Sequence, residues 1–230
     1  MIGDRRVIGI VPARAGSRRM IGKNTRMLAG RPMIGWTLAA AQGSQVLDRI
    51  VVSSDDPAVL DLAAEMGCPA PFARPAALSG PEASVIDAVE HALSEVGGDW
   101  DYVVLLQPTS PLRRAADIDA AVALADARGA PAVVSVSPLS KPAGFHVQME
   151  KNGGLQAPPD VLADTFVING AVYVARPERL SGERTFRPEG TLGYVMPVER
   201  GWDVDTADEF AACEARLRAD AAGETPATAT

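Results

Sequence analysis

The chain has 230 residues, 47% of them hydrophobic and 22% charged, which is enough to form one compact α/β domain. No apolar run approaches the roughly 18 residues of a membrane span, and the stretch after Arg6 is too short for a signal peptide. The two cysteines, Cys68 and Cys213, lie far apart, which excludes a disulfide framework or a recognisable zinc motif. We therefore expect a cytoplasmic protein with buried thiols and no membrane partner.

The positive charge is concentrated at one end of an acidic chain. The net charge is −7, yet residues 5–47 hold eight of the 22 lysines and arginines and none of the 29 aspartates and glutamates. An acidic body repels a long polyanion, and a 5% aromatic content supplies few surfaces on which bases stack. The composition argues against a nucleic-acid groove and favours a small, highly charged ligand.

Apolar runs of strand length alternate with helix-like segments along most of the chain. The predicted strands are 7–11, 49–53, 102–106, 132–136, 166–174 and 193–198. The predicted helices are 32–42, 57–66, 83–96, 115–128 and a last helix that begins at the capping box of Thr206 and Glu209. This alternation predicts an α/β fold with a mostly parallel sheet, helices on both faces and a ligand crevice at the carboxyl ends of the strands.

The alternation breaks between residues 138 and 165, where prolines interrupt a polar stretch and Asn152-Gly153-Gly154 predicts a turn. We interpret this stretch as a small arm within a single domain that spans residues 1–222. Residues 223–230 are predicted to form a disordered tail.

A basic, glycine-containing loop follows the first predicted strand directly, over residues 12–24. Its glycines, Gly16 and Gly22, let backbone N–H groups approach an anion closely. Its cationic side chains are those of Arg14, Arg18, Arg19 and Lys23. The loop matches neither a Walker motif nor a dinucleotide turn, and its position after the first strand favours a triphosphate site over a solvated surface loop.

Two acidic residues, Asp203 and Asp205, lie one residue apart before the last predicted helix. On an extended segment residues i and i+2 point to the same side, so both carboxylates would face one ligand. A magnesium ion that also binds substrate phosphates would relieve their repulsion. The alternative is an acidic helix start that is favoured by the helix dipole.

Three further segments carry polar groups near the predicted crevice. Gln107 follows a buried strand in a stiff turn, Arg74 precedes Pro75, and Ser84 lies near a helix start. A strand also contains the stretch 169–173. Each of these signals is uninformative alone.

In this order, the segments resemble the acylneuraminate cytidylyltransferase family, which includes the CMP-sialic acid synthetases. The matching segments are residues 12–19, Lys23-Asn24, Ser53-Ser54-Asp55-Asp56, Arg74-Pro75, residues 105–113, residues 169–173 and Asp203-Val204-Asp205-Thr206. The stretch Leu-Gln-Pro-Thr-Ser-Pro-Leu-Arg within 105–113 is the most specific of these matches. The resemblance implies a three-layer nucleotide-diphospho-sugar transferase-like (Rossmann-like) fold.

The resemblance further implies an enzyme that moves CMP from CTP onto a small acidic acceptor and releases pyrophosphate. It implies catalytic roles for Arg14 and Lys23 and Mg²⁺ ligation by Asp203 and Asp205. The residues it implies at the nucleotide are Ala13, Arg14, Gly16, Ser17, Lys23, Asn24, Arg74, Ser84 and Gln107, the last on the acceptor side. Relatives of this kind are homodimers that associate through the arm, which predicts a homodimer here.

The acceptor half departs from the family pattern. Val167 stands where sialic acid enzymes carry an arginine that faces the acceptor, Val85 replaces a serine, and the arm is shorter. An apolar side chain cannot form a bidentate contact with a carboxylate. The acceptor is therefore predicted to be either a compact phosphonate such as phosphonoformate or a sialic-type nonulosonic acid. A nucleotide-binding module without turnover is the alternative, although the retained Lys23 and aspartate pair favour an enzyme.

Overall fold

A computed structural model describes residues 2–16, 20–80, 82–139, 141, 148–156 and 165–222. The predicted tail at 223–230 and much of the predicted arm lie outside the described residues. Within the described ranges, no helix combines the length and the apolar character that crossing a membrane requires.

A six-stranded sheet forms the centre of the molecule. In chain order its strands are β1 (Val7–Pro12), β4 (Arg49–Ser53), β5 (Tyr102–Leu105), β6 (Ala132–Pro138), β9 (Phe166–Ala175) and β10 (Leu192–Val195). The spatial order is β10-β6-β9-β5-β1-β4. All strands run parallel except β9, which pairs antiparallel with both β5 and β6. The carboxyl ends of β1, β4 and β5 therefore meet at one edge of the sheet, as a ligand crevice in a parallel sheet requires.

Six α-helices and two small ribbons complete the described fold. The helices are α1 (Met33–Gln42), α2 (Pro57–Glu65), α3 (Val85–Val96), α4 (Ala115–Arg128), α5 (Pro177–Glu183) and α6 (Ala207–Ala221). The ribbons are β2 (Met27–Leu28) with β3 (Arg31–Pro32), and β7 (Gln148–Met149) with β8 (Leu155–Gln156). The second ribbon turns at Gly153, whose N–H donates to the carbonyl of Glu150, and this confirms the turn predicted in the arm.

The core lies on both faces of the sheet because alternate residues of the strands point to opposite sides. In β1, Val7 and Val11 pack with α1, α2 and α4 on one face, while Ile8 and Ile10 pack with α3 and α5 on the other. A third apolar cluster fixes α6 through Phe210, Cys213 and Leu217, as predicted. Both cysteines are buried free thiols, and burial raises the pKa of Cys213 to about 12. The three-layer arrangement with a mostly parallel sheet is confirmed.

Side chains cap the starts of α2 and α6, the second through the predicted capping box. Asp56 accepts a hydrogen bond from the N–H of Ala58 at 3.0 Å, and Thr206 forms the capping box with Glu209. Helix α5 was missed because its seven residues are too few to show helical periodicity.

Candidate active site

A cleft of about 440 Å³ opens at the carboxyl edge of β1, β4 and β5. Eight of the residues predicted from the sequence lie in its wall: Arg14, Lys23, Asn24, Arg74, Ser84, Gln107, Asp203 and Asp205. Its other lining residues are Pro12, Leu78, Ala83, Val85, Pro108 and Thr109. Segments separated by up to about 190 residues along the chain thus meet in one cavity, of a size typical of ligand sites.

The cationic wall of the cleft comes from the loop after β1. Gly22 has a φ of +65°, which a residue with a side chain rarely adopts, and this conformation starts the 3₁₀ turn Lys23–Thr25. The turn buries Lys23 and Asn24, and the Asn24 amide donates to the Arg14 carbonyl at 3.3 Å. The Arg14 guanidinium donates to the carbonyl of Gly80 at 2.8 Å. The loop is therefore braced internally and held to the segment at Gly80.

The acidic wall comes from the segment before α6. Val204 is fully buried and its N–H donates to the Thr109 carbonyl at 2.7 Å, so Asp203 and Asp205 on either side of it both face the cleft. This is the arrangement that the i, i+2 spacing predicted. The Lys23 ammonium lies 2.7 Å from a carboxylate oxygen of Asp205 and joins the two walls by a nearly buried ion pair.

The surroundings of Asp203 raise its pKa, although the residue as a whole is exposed. Partial burial of the carboxylate raises the pKa, and the charge of Asp205 adds to this, while a hydrogen bond with Thr109 and the charge of Lys23 act in the opposite direction. A cation that approaches a carboxylate in this environment stabilises its ionised form.

The carboxylate pair fits a magnesium site in which substrate supplies the remaining ligands. Within the described residues, no group of three or more histidines, cysteines, aspartates and glutamates is placed to hold a metal by itself. Two carboxylate oxygens beside a cationic wall suit a hard cation that keeps several waters and binds through phosphates. The donor set therefore fits Mg²⁺ brought in together with a polyphosphate.

Arg74 closes the opposite side of the cleft. It is buried, its Nε donates to Ser53 Oγ at 3.0 Å, and its guanidinium also donates to the Ser53 carbonyl at the end of β4. Burial lowers its pKa, and the nearby charge of Arg14 lowers it further, although Asp55 opposes this. Ser84 is the N-cap of α3 and accepts from the N–H of Ile86 at 3.1 Å.

Gln107 lies where β9 approaches the cleft. Gly170 in β9 has a φ of +77°, and a Cβ added there would stand 3.0 Å from the Gln107 side-chain oxygen. The glycine therefore permits both the local backbone conformation and the close passage of the Gln107 amide.

Three predicted residues are not placed in the cleft wall. The Ala13 side chain is buried in the core and its carbonyl accepts from Ser54 Oγ at 2.5 Å, whereas Gly16 lies outside the lining. Ser17 lies outside the described residues. Thr109 was not given a role from the sequence, although its place two residues beyond Gln107, after a buried strand, was a signal that it would reach the crevice.

A fully buried arginine stiffens the turn that carries Gln107 and Thr109. Arg113 donates to the carbonyls of Gln107 and Ala171 at 3.1 and 3.2 Å and to Thr37 Oγ1 at 2.8 Å. Burial lowers its pKa to about 9, although the charge of Asp117 opposes the shift. One side chain thereby ties the turn to β9 and α1.

We expect replacement of Arg113 by methionine to lower the free energy of unfolding by roughly 2 kcal/mol or more, because several buried acceptors lose their donor. Urea denaturation measures this. The neighbouring Arg114 is exposed, so Arg114→Met should cost within about 0.5 kcal/mol. Equal midpoints for the two variants would show that Arg113 does not hold the turn.

The sheet order and the cleft define an α/β protein with a ligand cleft at the carboxyl edge of its sheet, and comparisons with known proteins specify its class. The cytidylyltransferase family model matches residues 8–155. The CMP-N,N'-diacetyllegionaminic acid synthase of Legionella pneumophila is 33% identical over 91% of this chain and 95% of its own length. The chain belongs to the cytidylyltransferase family, within the group that includes the CMP-sialic acid synthetases.

Two further similarities show how far the likeness to known cytidylyltransferases extends. The N-acylneuraminate cytidylyltransferase of Streptococcus agalactiae (strain NEM316) is 33% identical over 88% of this chain, which spans about half (51%) of that longer protein. A solved CMP:2-keto-3-deoxy-manno-octonic acid synthetase complexed with CTP superposes with a TM-score of 0.69, covering 96% of this chain and 100% of that one, at 20% identity. That identity is low enough that the superposition supports the fold alone. The protein is a CTP-dependent nucleotidyltransferase with the nucleotide-diphospho-sugar transferase-like fold that the sequence predicted.

Proposed function

We propose that the chain transfers CMP from CTP to the hydroxyl of a sialic-type nonulosonic acid and releases pyrophosphate. The observation that carries this proposal is the cleft in which Arg14 and Lys23 face Asp203 and Asp205. The near full-length similarity to a legionaminic acid synthase supports the choice of acceptor.

The cationic wall is suited to the triphosphate. Arg14 and Lys23 bring two positive charges to the end of β1, where the strand gives way to the loop. Asn24 beside them and Arg74 on the opposite side also line the cleft and carry hydrogen-bond donors for a nucleoside. Because Arg14 now donates to Gly80 and Lys23 to Asp205, triphosphate binding exchanges these internal contacts for contacts with phosphate oxygens.

The reaction needs charge neutralisation and alignment more than covalent help from the protein. The acceptor hydroxyl oxygen forms a bond to the α-phosphorus of CTP, the bond from that phosphorus to the bridging oxygen of the β-phosphate breaks, and pyrophosphate leaves. The hydroxyl proton is released to water. Lys23 and Arg14 stabilise the charge that develops on the departing pyrophosphate.

We propose Asp203 and Asp205 as the ligands of a magnesium ion. When bound, the ion supplies neutralisation of phosphate charge beside the acidic wall. Lys23, which contacts Asp205 when no ligand is bound, would share that task from the facing wall.

The acceptor-binding half differs from the sialic acid pattern at β9. Val167 is about half exposed there, so the acceptor carboxylate must be recognised by another donor, and the Gln107 side chain in the cleft wall lies against Gly170 of β9. We propose a nonulosonic acid rather than a phosphonate because the full-length similarity is to an enzyme named for a sugar acid of that kind.

An assay of pyrophosphate release with a panel of acceptors tests this proposal. We expect turnover with CTP, Mg²⁺ and a legionaminic or neuraminic acid, and background release with phosphonoformate or an aminoalkylphosphonate. Turnover with phosphonoformate alone would reverse the choice of acceptor. Binding of CTP without release for any acceptor would favour the non-catalytic nucleotide-binding module.

We further propose that the chain forms a homodimer through the sheet end beside the arm. Phe166, Val167 and Ile168 of β9 and Val195 of β10 are exposed apolar side chains, and both strands flank β6 at this end. Sedimentation equilibrium should give twice the chain mass, and Val167→Asp with Val195→Asp should shift it to the monomer. A monomeric parent chain would remove this part of the proposal.

A further inference from the structure

We propose that the ion pair between Arg200 and Asp117 is a positioning device for the candidate reaction. It fixes the start of the segment that carries Asp203 and Asp205, although neither member of the pair lines the cleft. The inference rests on the proposed role of the two aspartates.

The pair is built around a carboxylate with no exposure to solvent. Arg200 donates from Nη2 to one Asp117 oxygen at 2.8 Å and from Nε to the other at 3.2 Å. Asp117 also accepts from the Tyr194 hydroxyl at 3.1 Å and from the N–H of Arg114 at 2.9 Å. Arg200 contacts both oxygens of a buried carboxylate, and each oxygen also accepts a second hydrogen bond. This bidentate contact holds the arginine in one orientation.

The pair connects two parts of the fold that both contribute to the cleft. Asp117 lies in the first turn of α4, directly after the turn held by Arg113, and Arg200 ends the 3₁₀ turn Val198–Arg200 that follows β10. Asp203 is three residues beyond Arg200. Together with the hydrogen bond from the Val204 N–H to the Thr109 carbonyl, the contact therefore sets the distance between the Gln107 turn and the aspartates before any ligand binds.

Gly201, the residue after Arg200, is tightly packed against neighbouring side chains. A Cβ added at Gly201 would collide with Ser137 Oγ and would stand 2.9 Å from Asn169 Nδ2. Ser137 and Asn169 are buried and hydrogen-bonded to each other at 2.9 Å, so neither side chain can readily move away from Gly201. The segment is thus anchored at 200 and 201 at one end and by the capping box of α6 at the other.

Because the pair acts through the aspartates, its loss has a defined signature. A displacement of about 1 Å at a catalytic group can cost roughly 100-fold in rate. Arg74 and Asn24 are held by separate contacts, so nucleotide binding should be affected much less. A general loss of stability would instead lower kcat and folded protein together.

The test variant is Arg200→Met, which keeps an unbranched apolar side chain and removes the charged guanidinium. The control is Arg179→Met in α5, because Arg179 forms an exposed ion pair with Glu183 at 2.6 Å. Helix α5 follows the antiparallel strand β9 and therefore lies at the sheet edge opposite the cleft. Full-length variants are compared where circular dichroism shows both to be folded.

Amide hydrogen exchange gives a readout that needs no activity. We expect residues 201–206 to exchange faster in Arg200→Met and at the parental rate in Arg179→Met. Unchanged exchange in Arg200→Met would overturn the inference whether or not the proposed function holds.

Kinetics then test the consequence. We expect kcat to fall roughly 10- to 100-fold and the Mg²⁺ concentration at half-maximal rate to rise, with the KM for CTP within about threefold of the parent. Arg200→Lys should recover part of the loss because it keeps the charge. Parental kcat and Mg²⁺ dependence despite faster exchange would also overturn the inference. A parent chain that releases no pyrophosphate with any acceptor would instead overturn the proposed function.

Discussion

Replacement of Asp205 by asparagine is expected to slow CTP-dependent pyrophosphate release by roughly 100- to 1,000-fold, the range seen when one preorganised electrostatic group is removed from an active site. The substitution keeps the shape of the side chain and removes its charge. It therefore takes away a proposed magnesium ligand and the counter-ion of Lys23 at once. Initial rates at saturating acceptor, measured across a range of Mg²⁺ concentrations, report the effect.

Asp208→Asn is the matched control for this experiment. Asp208 is exposed in the first turn of α6, three residues beyond Asp205, and is outside the cleft wall. We expect its rate to stay within about twofold of the parent. A parental rate for Asp205→Asn would show that the aspartate pair does not hold the metal.

The second large effect is expected at Lys23. In Lys23→Met we expect the affinity for CTP to fall roughly 10- to 100-fold, because a buried charge that we propose faces the triphosphate is lost. The same variant should bind Mn²⁺ more tightly than the parent in the absence of CTP. The reason is that the Lys23 ammonium, 2.7 Å from Asp205, otherwise competes with a metal for that carboxylate.

Titration calorimetry measures both affinities. Arg26→Met is the control, since Arg26 is an exposed cation three residues away that stacks on Phe210 at 5.2 Å. Parental CTP affinity in Lys23→Met would move the triphosphate site to another part of the chain.

The strands that build the cleft edge were predictable because they are short apolar runs rich in β-branched residues. The runs 7–11 and 49–53 are β-branched and bounded by turn residues, which distinguishes them from helices without any knowledge of partners. The charged candidates were predictable from their positions, since each follows a strand end or precedes a helix. Their convergence in one cleft follows from the parallel sheet.

What could not be predicted depends on contacts between distant parts of the chain. Periodicity gives a strand but not its direction, so the antiparallel course of β9 was not accessible from sequence. The pairs Lys23 with Asp205 and Arg200 with Asp117 join residues 182 and 83 positions apart. The reason for glycine at 170 and 201 appears only when the side chains that face them are known.

The measurement that tests CMP transfer most directly is the fate of the α-phosphorus of CTP in a single turnover. With α-labelled CTP, Mg²⁺ and a nonulosonic acid, we expect the label in a CMP–sugar acid conjugate, with one pyrophosphate formed for each. Recovery of the label in unchanged CTP, or in free CMP with no conjugate, would contradict the proposed transfer.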